Sequence, residues 1–195
     1  MREGRDPMIG SVLSGRFEIT EYITAGGMGS IYKATQRPLE RDVAIKLMDY
    51  EGQRTEEFQR RFYLEASLCA RLSHPNIVRI FDYGCHEDRV YFIAMELLKG
   101  ETLRQISDRA GPIEPRRAIS FLKQVSSALI EAHGADLVHR DLKPSILFVV
   151  TDGMGQEHVK ILDFGVVKQV SSAVDVTQAG ATLGSPLYMS PEQIQ

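Results

Sequence analysis

The sequence predicts an α+β fold in two parts: a small N-terminal β-sheet that carries one long helix, then a mainly helical C-terminal part. Three observations predict it. Within residues 17–48, apolar residues alternate with polar ones, the period of strands with one buried face. Over Phe58–Leu72 and Ala118–Ala132 they recur at helical spacing. Two short apolar runs then end in the carboxylates Asp141 and Asp163, where strand gives way to loop.

In chain order, residues 1–15 read as a mobile leader rich in Gly and charge. Phe17, Ile19 and Ile23 fall at even spacing with Glu18 and Thr20 between, which predicts a half-buried strand. Gly26, Gly27 and Gly29 follow, and Ile31 begins the returning strand, so the hairpin tip is glycine. Amides unobstructed by Cβ atoms approach phosphate oxygens closely, and the tip therefore suits a flap over nucleotide phosphates. In Val43–Met48, Val43, Ile45 and Leu47 share one face, while Ala44, Lys46 and Met48 share the other. An inward lysine is costly without an anion. The next helix supplies one. It starts at Thr55 as N-cap with Glu56 and Glu57 in its first turn, and Glu65 lies inside the stripe of Phe58, Phe62, Cys69 and Leu72, which predicts a Lys46–Glu65 pair.

A fourth strand is expected from His74–Val78 to about Tyr83, with His74 capping or packing, and a fifth at Val90–Glu96. Thr102 can N-cap a short helix that ends near Gly111. Pro115 opens a longer one whose apolar face comprises Ala118, Phe121, Leu122, Val125, Leu129 and Ala132. Asp141 follows, flanked by Arg140 and Lys143, so it should stay ionised and able to accept a proton or orient a hydroxyl, with Lys143 neutralising negative charge on whatever reacts. Asp163 ends the run Val159–Leu162 ahead of Gly165, and from that turn its carboxylate can bind a hard cation such as Mg²⁺.

The elements His139-Arg140-Asp141-Leu142-Lys143-Pro144 and Asp163-Phe164-Gly165, in that order, resemble the eukaryotic-type Ser/Thr protein kinase family in its bacterial style, from about Phe17 to the last residue. The resemblance implies a two-lobed protein-kinase-like fold, with residues 16–96 as the N-terminal lobe and 97–195 as a partial C-terminal lobe. It implies that Lys46 with Glu65 positions the α and β phosphates of ATP. Ile23, Ile31 and Ala44 would roof the adenine and Phe148 would floor it. Met95 would gate the rear of the pocket, and Glu96 to Leu98 would be the hinge whose backbone bonds the adenine edge. Segment 166–184, with Ser171, Ser172, Thr177 and Thr182, resembles an activation loop whose phosphate Arg140 would receive.

Three departures from the pattern matter. Thr24 stands where the first flap glycine belongs. Ile146 stands where the pattern has Asn as ligand to a second metal ion, and isoleucine cannot coordinate Mg²⁺. The sequence stops at Gln195, short of several helices of the family's lower lobe, which predicts exposed apolar surface on the long helix and self-association or a need for a partner.

Composition narrows the rest. With 43% apolar residues in 195, the chain can bury one ordinary core or two small ones. A net charge of −3 with mixed signs gives no argument for nucleic acid or a membrane as partner. Cys69 and Cys85 show neither metal spacing nor a paired framework, no run spans a bilayer, and Met1–Pro7 lacks a signal-peptide core, so the expected address is cytoplasmic. The resemblance implies two function classes, beside a third reading as a fragment with no independent activity. The first is transfer of the γ-phosphoryl of Mg·ATP (Mn²⁺ serving as substitute) to a protein Ser or Thr, with Asp141, Lys143, Lys46 and Glu65 as catalytic residues and Asp163 as metal ligand. The second is a non-catalytic nucleotide- or partner-binding module.

Overall fold

A computed structural model describes residues 6–26, 29–48, 55–87, 89–164 and 186–194. The chain forms two compact units, Met1–Ala66 with Arg79–Leu98, and Ser67–Val78 with Lys99–Gln195.

The first unit is an antiparallel sheet of β1 (Val12–Leu13), β2 (Phe17–Gly26), β3 (Gly29–Gln36), β4 (Arg41–Met48), β5 (Ile80–His86) and β6 (Val90–Glu96), in the order β1-β2-β3-β4-β6-β5. Alternation in β4 sends Val43, Ile45 and Leu47 into one core with Phe17, Ile19 and Phe92. Each such side chain, fully buried, contributes about 1.5–3 kcal/mol. The Phe17 and Phe92 rings meet edge to face at 5.7 Å. Helix α1 (Glu56–Arg71) starts where expected, with the Phe58 amide donating to Thr55 Oγ1 at 3.1 Å. It buries Phe58, Phe62, Ala66 and Cys69, and Leu72 just beyond its end is buried too.

The second unit holds a three-stranded antiparallel sheet, β7 (Gly100–Thr102), β8 (Leu147–Thr151) and β9 (Glu157–Ile161), in that order. With it come α2 (Leu103–Ala110), α3 (Pro115–Gly134) and the short α4 (Pro191–Ile194). Thr102 and Gln105 close a capping box at the start of α2.

Four expectations are corrected. Residues 6–15 are not a mobile leader: Leu13 is fully buried opposite Phe17, Met8 packs on the core, and Tyr32 Oη donates to Asp6 Oδ2 at 3.0 Å. Two apolar side chains in a polar stretch suffice to dock it. Ile23 does not continue the buried face, because register shifts between Ile19 and Glu21 and between Tyr22 and Thr24 break the alternation and leave it 45% exposed. The fourth expected strand begins later, at Ile80, because Asn76–Val78 bonds to β9 instead. In α3 the buried stripe is Phe121, Val125, Ala128 and Ala132, whereas Leu122 is 62% exposed beside Ile119 on the outer face.

Candidate functional site

In the first unit, register collects the expected nucleotide-facing residues. Ile31 lies opposite Lys46, Lys46 opposite Ile93, and Ala44 opposite Met95. Directly opposed residues project to the same face. Ile31, Ala44, Lys46 and Met95 therefore share the face away from the Val43–Ile45–Leu47 core, and Lys46 is buried there at 9% exposure. Helix α1 packs on that face: the rings of Phe58 and Phe62 lie 5.1 and 5.0 Å from Tyr91, which pairs with Met48. Glu65 follows Phe62 by three residues, so it sits on the same side of the helix, half-buried with Oε2 shielded from solvent.

At the hairpin tip Gly26 pairs with Gly29. Gly29 has φ +115°, and a Cβ there would stand 1.9 Å from the Leu47 carbonyl oxygen. Close approach of β4 thus requires this glycine, quite apart from any phosphate. Glu96 is fastened at the end of β6, donating its N–H to Arg79 O and accepting from Arg79 N at 2.8 Å. Leu98 is half-buried just beyond it. Gly27 and residues 165–185, with Ser171, Ser172, Thr177 and Thr182, lie outside the described residues.

In the second unit, Leu137 and His139 are buried and anchor the loop that carries Asp141. Arg140 adopts φ +60°, a left-handed conformation that costs a non-glycine residue about 1–2 kcal/mol. The turn it makes lets the Asp141 amide donate back to His139 O at 2.9 Å. Lys143 Nζ then reaches Asp141 Oδ2 at 2.9 Å, with the two side chains only 19% and 10% exposed. A pair so shielded is stronger than one in open solvent. The loop is tied to the other acidic segment: Leu162 N, one residue before Asp163, donates to Ile146 O at 2.9 Å. Phe148, on β8 between Thr102 and Lys160, is half-buried.

Sequence reasoning gave His139 no role of its own. Its ring stacks obliquely on Phe164 at 4.9 Å. Burial pushes its imidazole below the ordinary value of 6.5, against the opposing pull of Asp163 and Asp141, so a neutral ring sits within electrostatic reach of both carboxylates. A histidine directly after the apolar Leu137-Val138 was the available signal.

Among the described residues no cluster of three or more carboxylate, imidazole or thiol groups could cage a metal ion. Asp163, half-buried at the end of β9, nevertheless fits Mg²⁺, which is bound through one or two carboxylates together with waters and substrate phosphates. Ile146, half-buried in its 3₁₀ turn, adds no ligand.

Comparisons with known proteins show the family to which the chain belongs. The family model described as "Protein kinase domain" matches residues 17–195. The chain is 41% identical over 186 residues to the serine/threonine-protein kinase PrkC of Bacillus subtilis, covering 95% of this chain and 28% of PrkC. It is 40% identical over 191 residues to the serine/threonine-protein kinase PknA of Mycobacterium tuberculosis, covering 96% and 43%. It thus spans less than half the length of these relatives. Among solved structures, the PknI kinase domain of Mycobacterium tuberculosis superposes with a TM-score of 0.70 at 26% identity, covering 86% of this chain and 69% of that one.

Proposed function

Because the chain belongs to the protein kinase domain family, we propose that it transfers the γ-phosphoryl group of ATP to Ser or Thr hydroxyls of proteins. The observation that carries this is the shielded Asp141–Lys143 contact at 2.9 Å on a loop bonded to the strand end that presents Asp163. An Asp141 carboxylate oxygen orients the acceptor hydroxyl and takes its proton. Lys143, released from Asp141 toward the transferring group, balances its charge. Lys46, kept on its sheet face by Glu65, holds the α and β phosphates. Ile23, Ile31, Ala44, Gly26, Gly27, Gly29, Met95, Glu96 and Leu98 of the first unit are assigned to nucleotide binding, and Phe148 of the second is assigned to it as well.

Asp163 is the metal ligand, for Mg²⁺ with Mn²⁺ tolerated. When bound, the cation neutralises phosphate charge and fixes phosphate geometry. Nothing in the comparisons favours the non-catalytic alternative. We place the chain in a reducing, cytoplasmic setting, supported by Cys69 and Cys85 as thiols; no helix among the described residues is long and apolar enough to cross a membrane. The outer face of α3, with Ile119, Leu122 and Ile130 exposed, is the surface for self-association or a regulatory partner.

The test is label transfer from [γ-³²P]ATP to the chain itself or to a Ser/Thr-rich acceptor, run beside the melting shift induced by Mg·ATP. Transfer that Asp141→Asn abolishes is expected. A chain showing neither transfer nor a shift would overturn the assignment.

A further inference from the structure

Strand β9 stands at the edge of its sheet. Such an edge ordinarily leaves backbone groups bare. Here two side-chain amides and a short backbone stretch replace the missing strand. Gln124 Nε2 donates to Glu157 O at 3.2 Å, and Val159 N donates to Gln124 Oε1 at 2.8 Å. Asn76 Nδ2 donates to Val159 O at 2.7 Å, Ile161 N to Asn76 O at 2.9 Å, and Val78 N to Ile161 O at 2.9 Å. A bond of 2.8 Å from Asn76 Nδ2 to Gln124 Oε1 joins the two amides. Gln124 has its donor and acceptor sides both engaged, and Asn76 donates twice through Nδ2, so neither amide can flip without loss. Asn76 is buried and Val159 and Ile161 wholly so, which keeps water from replacing a lost bond.

Helix α3 is the platform. Gln124, Ser127 and Glu131 lie on one face at i, i+3 and i+7. Ser127 Oγ is 3.0 Å from His74 Nε2, Ser73 N donates to Glu131 Oε1 at 2.8 Å, and Asn76 N donates to His74 Nδ1 at 3.0 Å. The same helix face thus sets both amides, and they set a strand that reaches Asp163 after a single residue, Leu162.

We propose that Gln124 and Asn76 are positioning residues for Asp163: by fixing β9 against α3 they hold the carboxylate where it binds a divalent cation. This rests on the assignment of Asp163 as metal ligand. Loss of a partner behind a metal ligand typically weakens metal binding about 10–100-fold. A clamp that merely closed the sheet edge would leave cation affinity unmoved.

The experiment measures Mn²⁺ binding by the loss of the free-ion paramagnetic resonance signal beyond that caused by the same concentration of ATP alone, together with amide exchange at Val159 and Ile161. Gln124→Met removes both of the side chain's strand bonds. It is expected to speed that exchange and weaken Mn²⁺ by about tenfold or more. Gln124→Glu keeps an acceptor for Val159 N but lacks the donor to Glu157 O, and should recover part of the affinity; if Gln124→Met does not fold, Gln124→Glu carries the test. Arg117→Met is the control, since it loses the 2.6 Å ion pair to Glu157 between the same two elements and leaves the amides intact. It should bind Mn²⁺ like the unmodified chain. Faster exchange in Gln124→Met with unchanged affinity overturns the proposal, and so does equal weakening in Arg117→Met. An unmodified chain that binds no Mn²⁺ with ATP overturns the role of Asp163 itself and the proposal with it, whereas the two preceding outcomes leave that role standing.

Discussion

Asp141 and Ile146 lie five residues apart and make opposite predictions. Removing the proton acceptor in Asp141→Asn also replaces the ionic contact to Lys143, and kcat should fall about 10²–10⁴-fold while KM for ATP changes little. Steady-state rates against ATP concentration check this. Ile146→Asn leaves the backbone bonds of its turn in place, Ile146 N to Lys143 O and Leu162 N to Ile146 O. It restores a polar ligand, so kcat should rise toward the roughly 10²-fold that one preorganised charge stabiliser supplies. The Mg²⁺ dependence should change from one site to two, and a rate that does not respond would show that Ile146 is no handicap. His139 gives a pH prediction. Its imidazole is held below 6.5 by burial, so as pH falls through 6.5 the unfolded chain takes up a proton that the folded chain resists. Stability should be highest above that value and decline below it, and His139→Leu should flatten the decline in melting temperature between roughly pH 7 and 5. Asp141 and Ile146 were legible in the sequence because each is fixed by neighbours a few positions away, whereas His139 showed only as a histidine after an apolar pair. Asn76 and Gln124 were not, since their partners lie as far as 83 and 48 residues along the chain.

At the scale of elements, the hairpin and the caps carry the sharpest tests. Gly29→Ala would drive a Cβ against the Leu47 carbonyl at φ +115°, and a strained position of this kind costs about 1–3 kcal/mol. Loss of melting temperature without loss of Asp141-dependent chemistry per folded molecule would separate this structural demand from a phosphate-binding one. Thr102→Ala opens the capping box of α2 and should cost about 1 kcal/mol, read by chemical denaturation. Both elements were visible in advance, since a Gly-rich tip between alternating runs and a Thr three residues before Gln are local signals. Strand β1 was not visible: two residues make no period, and only docking of Leu13 on Phe17 defines them. Register shifts in β2 were invisible for a related reason, because they are defined by pairing with β3, a strand whose register no local pattern in β2 reveals.

For the whole molecule, the proposed function draws on residues of both units: Lys46, Glu65 and Met95 belong to the first, and Asp141, Lys143 and Asp163 to the second. Each unit has its own sheet and its own reason to fold, so the sequence's periodicities reveal both. Periodicity says nothing, however, about whether the residues of one unit act on the same ligand as those of the other; that is part of the proposed function. Thermodynamic coupling tests it. Lys46→Met and Asp163→Asn should each weaken Mg·ATP binding, followed as the nucleotide-induced melting shift. If the ammonium and the carboxylate serve one triphosphate, the double variant should lose less than the sum of the two single losses, by a coupling of about 0.5–3 kcal/mol. Strict additivity, as expected of distant and independent sites, would mean that the buried lysine of β4 and the carboxylate at the end of β9 answer to different ligands. The chemistry assigned to Asp141 would then have no nucleotide to act on.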